Sequence, residues 1–406
     1  MPEEKLRIAF ATPEYVTEKP FDCGLATYIH RVGSALASLG HEVHVVTLSE
    51  KEQSEFRHDD IIVHRVRVAR FWLELNRFTR YRLATSIYLL GLSAGVYRKL
   101  KELHARQPFD LFQFPHCRYC GLVSVLFLKV PHVLRASWYE AAWNDLSGIN
   151  QTLDTKAMDL LERLQLRLSS HVCTPSHALR RILRERAKLN SVRVITSPCY
   201  VEPTNWDYSS YDVSLKGKEY LLFFGRFELR KGFHILSRAL PDFLARHKNA
   251  YAVLVGRDLE SSLAPSMAEY ARSLLSAYGD RVVILDRLPH AKLYPIIDRA
   301  RLVVLPSLMD NLPNACLEAM TLGKPIIGTR GASFEEMITD GENGFLVAPN
   351  EPGQLTEKIN DAWNDPRLEE IGKAAQIRAQ DFAPEQTVQE LLSYYREILN
   401  GNAKGE

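Results

Sequence analysis

The sequence predicts an α/β chain built from two doubly wound domains, and three observations carry that prediction. Short apolar runs of strand length alternate with longer stretches of helical spacing. The alternation breaks once, over Ser197 to Glu219, and then restarts. The length, 406 residues, corresponds to two or three domains at roughly 150 residues each. Strands that read as continuous apolar runs belong to parallel sheets covered by helices on both faces.

The elements follow in order. Arg7-Ile-Ala-Phe-Ala-Thr12 is the first buried strand, and Tyr28 to Leu39 has helical spacing that stops at Gly40. Glu42 to Thr47 is the next strand, followed by Leu111–Phe114, Pro131–Ala136, His171–Thr174 and Val192–Ile195. The break carries Pro198, Pro203, Asn205 and Gly217 without a sustained period, so it reads as a linker. Beyond it, strands are expected at Tyr220–Phe224, Ala250–Val255, Val282–Leu285, Leu302–Leu305, Pro325–Ile327 and Phe345–Val347. The expected domains are 1–200 and 201–385, with 386–406 a terminal helix placed to cross back to the first domain. Ligands of open parallel sheets bind beyond the carboxyl ends of the strands. Two such domains facing across a cleft would screen a substrate from water on closure.

Composition narrows the function. Hydrophobic residues at 46% and charged residues at 25% exclude a disordered chain. The net charge of +2 makes no case for a nucleic-acid binder. That total hides a split. Residues 1–203 hold 28 Lys/Arg and 21 Asp/Glu, a net of +7, and the remainder holds 23 and 28, a net of −5. Six cysteines are too few for a disulfide scaffold and read as reduced and intracellular. Cys117-Arg-Tyr-Cys120 lacks a second pair to complete a zinc site, so packing is its expected role. The start, Met1 to Arg7, has no apolar signal core. The longest charge-free stretch of the basic region, Ala84 to Tyr97, falls short of the ~20 residues that span a bilayer. A cytoplasmic protein, soluble or peripheral at the inner face of a membrane, is expected.

Two motifs carry chemistry. Tyr220–Phe224 runs into Gly225-Arg226-Phe-Glu-Leu-Arg-Lys231-Gly232. Glycine after a buried strand lets the backbone turn and a ligand approach. Arg226 and Lys231 then stand at the carboxyl end of the sheet, where two cations and a helix N-terminus suit a diphosphate. A solvated basic loop is the alternative. No Walker loop is present, and no G-x-G-x-x-G follows the first strand, which argues against a nicotinamide-dependent oxidoreductase. The second motif, Pro306 to Pro325, follows a strand and holds Asp310, Asn311, Leu312, Pro313 and Glu318. Backbone N–H groups from Asn311 to Ala315 would cradle a phosphate, and Pro313 fits the start of the next helix. A carboxylate accepts two hydrogen bonds from neighbouring hydroxyls, as in sugar and ribose sites. For Glu318 alone, a charge near a helix N-terminus is the plainer reading.

Taken together, Gly225-Arg226 with Lys231-Gly232, the Asp310 to Glu318 segment, Gly323-Lys-Pro-Ile-Ile-Gly-Thr and Asp340-Gly-Glu-Asn-Gly-Phe resemble the family-four retaining glycosyltransferases of the GT-B fold. The first half resembles them more weakly, through Gly24, Leu39-Gly-His-Glu-Val and Cys173-Thr-Pro-Ser-His-Ala-Leu. The resemblance implies transfer of a sugar, with retention, from a UDP- or GDP-sugar to a hydroxyl of a glycan, lipid-linked or small-molecule acceptor. Arg226 and Lys231 match the pair that neutralises the diphosphate, so no metal and no other cofactor is implied. Glu318 matches the glutamate that holds the ribose. Asp310 stands where the family carries a glutamate facing the donor sugar, and its shorter reach is a departure. Gly225, Asn311, Leu312 and Gly24 match donor-binding positions. Many relatives carry a histidine where this chain has Ser137, and His116 after a neighbouring strand is the other candidate contact. Glu335 and Glu336 fall where relatives have Pro-Glu, with Glu336 read as a helix-start charge.

The acceptor side is read from charge. Between Arg65 and Arg106 stand ten Lys/Arg and two Glu among Phe71, Trp72, Phe78, Tyr81, Tyr88 and Tyr97. Such a stretch fits an anionic membrane surface and a lipid-linked acceptor, or an ordinary helix pair with a solvated face. Trp138, Tyr139 and Trp143 fit either an acceptor platform or packing. Two further classes stay open: a GT-B-fold nucleotide-sugar epimerase, and a non-catalytic nucleotide-sugar-binding subunit.

Overall fold

The computed structural model describes residues 4–18, 24–51, 54–140, 151–199, 201 and 205–402. It divides into two units, Met1–Pro198 with Pro384–Glu406, and Cys199–Ala383.

The first unit holds β1 (Arg7–Thr12), β2 (Glu42–Leu48), β3 (Glu55–His58), β4 (Ile61–Val66), β5 (Leu111–Pro115), β6 (His132–Arg135), β7 (Val172–Thr174) and β8 (Arg193–Val194). They form one sheet in the order β3-β4-β2-β1-β5-β6-β7-β8. Every described pairing is parallel except β3 on β4. The core joins Ile8 and Phe10 of β1, Val43 and Val45 of β2 and Val63 of β4 to the helix Gly24–Ser38. The last helix, Pro384–Asn402, returns to this unit and buries Val388, Leu391, Leu392 and Tyr395 in the same core. Its Tyr395 hydroxyl donates to Gln113 of β5, whose amide donates to Tyr28. That chain of bonds satisfies three buried polar groups between strand and helices.

The second unit holds β9 (Glu219–Phe224), β10 (Ala250–Val255), β11 (Val282–Leu285), β12 (Leu302–Val304), β13 (Ile326–Thr329) and β14 (Phe345–Val347). Their order is β11-β10-β9-β12-β13-β14, with every described pairing parallel. Side chains of a strand alternate between faces. Leu221 and Phe223 of β9 enter one core with the helices Phe233–Arg246 and Pro352–Asn364. Tyr220, Leu222 and Phe224 enter the other, with the helices His290–Asp298, Asn314–Thr321 and Leu368–Ala379. Burial on both faces is why β9 reads as an unbroken apolar run.

The structure differs from the sequence reading in two places. The pair β3 and β4 was not expected, because His58, His64 and Arg65 break its apolar pattern. The stretch read as a linker carries a short helix, Ser209–Ser214, and packs on the second unit through Cys199 and Leu215. Cys117, Cys120, Cys173, Cys199 and Cys316 are buried. Burial pushes the Cys120 and Cys316 thiols well above the usual thiol range.

Candidate functional site

In the second unit, β9 and β12 are neighbours at the point where the strand order reverses. The chain leaves β9 toward β10 and leaves β12 toward β13, so the loops after them open a crevice at the carboxyl ends. The two sequence motifs are those loops. After β9, Gly225 turns the chain and Phe227 anchors it, stacked on Phe233 with ring centroids 4.3 Å apart. A single tight turn, Leu229–Lys231, then leads into Gly232. Gly232 has φ +67°, and a Cβ there would stand 1.8 Å from the Pro306 carbonyl oxygen. Only glycine lets the two loops approach this closely. The Leu308 N–H donates to the Arg230 carbonyl at 2.8 Å and ties them together.

The charges follow from this approach. Lys231 donates to the Asp310 carboxylate. Burial alone lowers the Lys231 ammonium pKa and raises that of the Asp310 carboxyl. The ion pair opposes both shifts. Lys231 and Arg230 prevail at Asp310, which is held below the usual carboxylate range, whereas Lys231 stays lowered. Beside the pair, Glu228 receives Arg230, and the Arg226 guanidinium lies 3.3 Å from the same carboxylate. Burial also lowers the Arg230 guanidinium, with Asp310 and Glu228 opposing. The group is three cations against two carboxylates, a net positive site that already holds its own anions. Arg226 is its most exposed cation, with 38% of its side chain accessible.

The remaining predicted residues of this unit occupy distinct places. The Asn311 N–H donates to Asp310 Oδ1 at 3.1 Å. Ser333 Oγ donates to the Asp310 carbonyl at 2.8 Å, linking the loop after β13. Leu312 and Pro313 lead directly into the helix Asn314–Thr321. Glu318 is buried in that helix, with Oε1 3.7 Å from His290 Nε2. His290 opens the helix after β11 and stacks on Tyr294 at 5.2 Å. Glu335 accepts from the Gly331 N–H at 2.6 Å, and Glu336 closes a short turn whose carbonyl receives Arg378. Sequence reasoning missed Glu228 and Arg230, although both lie inside the first motif. It also missed His290, which no local pattern marks.

Gly24, His116 and Ser137 belong to the first unit. There β1 and β5 are neighbours at the reversal of strand order. Gly24 is exposed and begins the helix after β1. His116 directly follows β5 and is fully buried, 3.5 Å from Glu162 and stacked on Tyr139 at 6.2 Å. Ser137 lies two residues beyond β6 and is partly buried. Trp138 donates to Glu140 at 2.8 Å. Burial raises the Glu140 carboxyl, that bond opposes it, and the charge of Glu162 adds to the rise. Tyr139 is buried, whereas Trp143 lies outside the described residues.

Residues 211–378 match the family model of glycosyl transferases group 1, and residues 23–199 match that of the glycosyl transferase 4-like domain. Spore coat protein SA of Bacillus subtilis is 28% identical over 45% of this chain and 50% of its own length. For this and several other curated relatives, the match thus spans about half of the relative's length. An uncharacterized glycosyltransferase of Methanocaldococcus jannaschii is 24% identical over 89% of this chain and 90% of its own. Among solved structures, sucrose-phosphate synthase from Thermosynechococcus elongatus superposes with a TM-score of 0.78 at 20% identity, covering 98% of this chain and 100% of that one. Anabaena HepE in complex with UDP-glucose superposes with a TM-score of 0.70 at 18% identity, covering 97% and 100%. These likenesses show the GT-B fold.

The close approach at Gly232 yields a test. Gly232→Ala combines a left-handed backbone with a collision against Pro306, and should cost at least about 2 kcal/mol. Urea denaturation measures it, and an unchanged midpoint would contradict the packing described.

Proposed function

The chain belongs to the group 1 glycosyl transferases, and from that premise we propose that it transfers a sugar, with retention, from a UDP- or GDP-sugar to an acceptor hydroxyl. The observation that carries this reading is the cationic cluster of Arg226, Arg230 and Lys231 at the reversal of the second sheet, paired with Asp310. HepE, a neighbour in fold, is seen in complex with UDP-glucose, which supports a nucleotide-sugar donor here.

The chemistry is electrostatic. As the bond from the anomeric carbon to the diphosphate oxygen breaks, negative charge grows on the diphosphate. Arg226 and Lys231 stabilise it, as a metal ion does in other sugar transfers. The acceptor oxygen bonds to the same face of the anomeric carbon, and its proton passes to the leaving phosphate oxygen. No protein nucleophile takes part. Glu318, oriented by His290, holds the ribose hydroxyls. Asp310 faces the donor sugar once the diphosphate has taken Lys231 from it. Gly24, Ser137 and His116 are the first unit's candidates for donor or acceptor contact.

On the acceptor side, the positive balance of the first half favours an anionic acceptor or carrier. The helix Arg70–Phe78 exposes Phe71, Leu73 and Phe78, with Tyr81 beyond its end, among exposed Arg70, Arg77, Arg80 and Arg82. Aromatic rings flanked by arginines suit the interface of an anionic bilayer. Among the described residues, no helix is long and apolar enough to cross a membrane. A peripheral contact with the membrane that carries a lipid-linked acceptor is the reading these side chains support.

Thermal-shift screening of UDP- and GDP-sugars identifies the donor. With that donor, Arg226→Gln should lower kcat/KM about 10²–10³-fold at an unchanged melting temperature. The anomeric configuration of the product, read by NMR, should equal that of the donor, and an inverted product would sink the mechanism. In flotation with vesicles of anionic phospholipid, the wild-type chain should rise with the lipid and Phe71→Ser/Phe78→Ser should not. Failure of the wild-type chain to float would refute the membrane contact.

A further inference from the structure

We propose that the first unit carries a binding site for a divalent transition metal of the zinc class, formed by His30, His58 and Asp59. His30 lies on the helix Gly24–Ser38, His58 is the last residue of β3, and Asp59 begins the turn into β4. Each offers one donor atom, and the three atoms lie within 4.8 Å of one another. His30 Nε2 stands 2.7 Å from Asp59 Oδ2, and the two imidazole rings are 5.0 Å apart. Zinc bonds of about 2.0–2.2 Å to nitrogen and oxygen are reached from this arrangement by small side-chain rotations.

The donor set and its surroundings point the same way. Two imidazoles and one carboxylate suit zinc, with a fourth, water-filled position open to solvent. Asp59 has φ +53°, a left-handed conformation that a non-glycine residue adopts at a cost. That conformation belongs to the turn that puts Asp59 beside His58 and opposite His30. Beneath them, the Tyr15 hydroxyl lies 3.5 Å from His58 Nδ1, and the Tyr15 ring packs edge-on against both imidazoles. A second partner on the far nitrogen of a metal-binding histidine fixes its tautomer and leaves the other nitrogen for the ion. His30 is only 28% accessible, so its ring is already held by packing.

The ion would clasp the helix that begins at Gly24 to the β3–β4 hairpin at the sheet's edge. Its binding would stabilise this unit by an amount that grows with the logarithm of the free ion concentration above the dissociation constant. None of the three side chains belongs to the motifs that bind the donor in the proposed function, so this site stands independently of that reading.

The test uses the full chain stripped of metal by chelator and passed through gel filtration. Titration with zinc chloride should show one ion bound per chain by calorimetry and a rise in melting temperature that EDTA reverses. His30→Gln and His58→Gln keep hydrogen-bonding capacity at half-buried positions, so both should fold, as circular dichroism would verify. Each should bind zinc at least about tenfold more weakly and lose the thermal shift. Asp59→Asn should weaken binding without changing the melting temperature of the metal-free chain. Absence of zinc binding by the wild-type chain, or wild-type affinity in His58→Gln, would overturn the proposal.

Discussion

The ion pair between Lys231 and Asp310 is the contact on which the second unit's site depends. It joins two loops that leave adjacent strands in opposite directions, and it exists only because Gly232 and Pro306 touch without a side chain between them. Removing either partner would leave a charge in a poorly solvated place, which costs more than the pair itself contributes. The pair therefore holds the crevice in shape before a ligand arrives. In the proposed function it also sets a condition on binding, because an incoming diphosphate would have to draw Lys231 away from the carboxylate that holds it.

Glu228 repeats the arrangement one step outward. It holds Arg230 and lies within reach of Arg226, so each of these cations has an internal anion close by. Together with Asp310 it also lowers the positive charge of the group from three to one. His290 and Glu318 form a comparable pair at the carboxyl ends of the sheet, from different helices.

Much of the fold was legible because both sheets are buried on two faces. The strands β1, β9, β10 and β11 read as apolar runs, and their helices as periodic stretches between glycines. What escaped was polar or short. The edge strand β3 is Glu-Phe-Arg-His, whose pattern suits an exposed edge and resembles a loop. The helix Ser209–Ser214 is too brief to show a period. Arg226, Lys231 and Asp310 stood out in the sequence because each lies in a loop that leaves a strand of the second sheet. Their meeting could be inferred only once β9 and β12 were known to be neighbours. Arg230 and Glu228 were visible in the motif, but the tight turn at Leu229–Lys231 decides which way they face. His290 lies 28 residues before Glu318 on another strand's loop, so nothing in the sequence joins them.

The most direct test of this account is calorimetric binding of the cognate nucleoside diphosphate, UDP or GDP, to the wild-type chain and to Asp310→Asn. The asparagine keeps the size of the side chain and removes the charge that competes for Lys231. The diphosphate should bind the variant severalfold more tightly, and sugar transfer should be slower. Equal affinity in the two proteins would contradict this, because Lys231 would then not be the group that the diphosphate takes from Asp310.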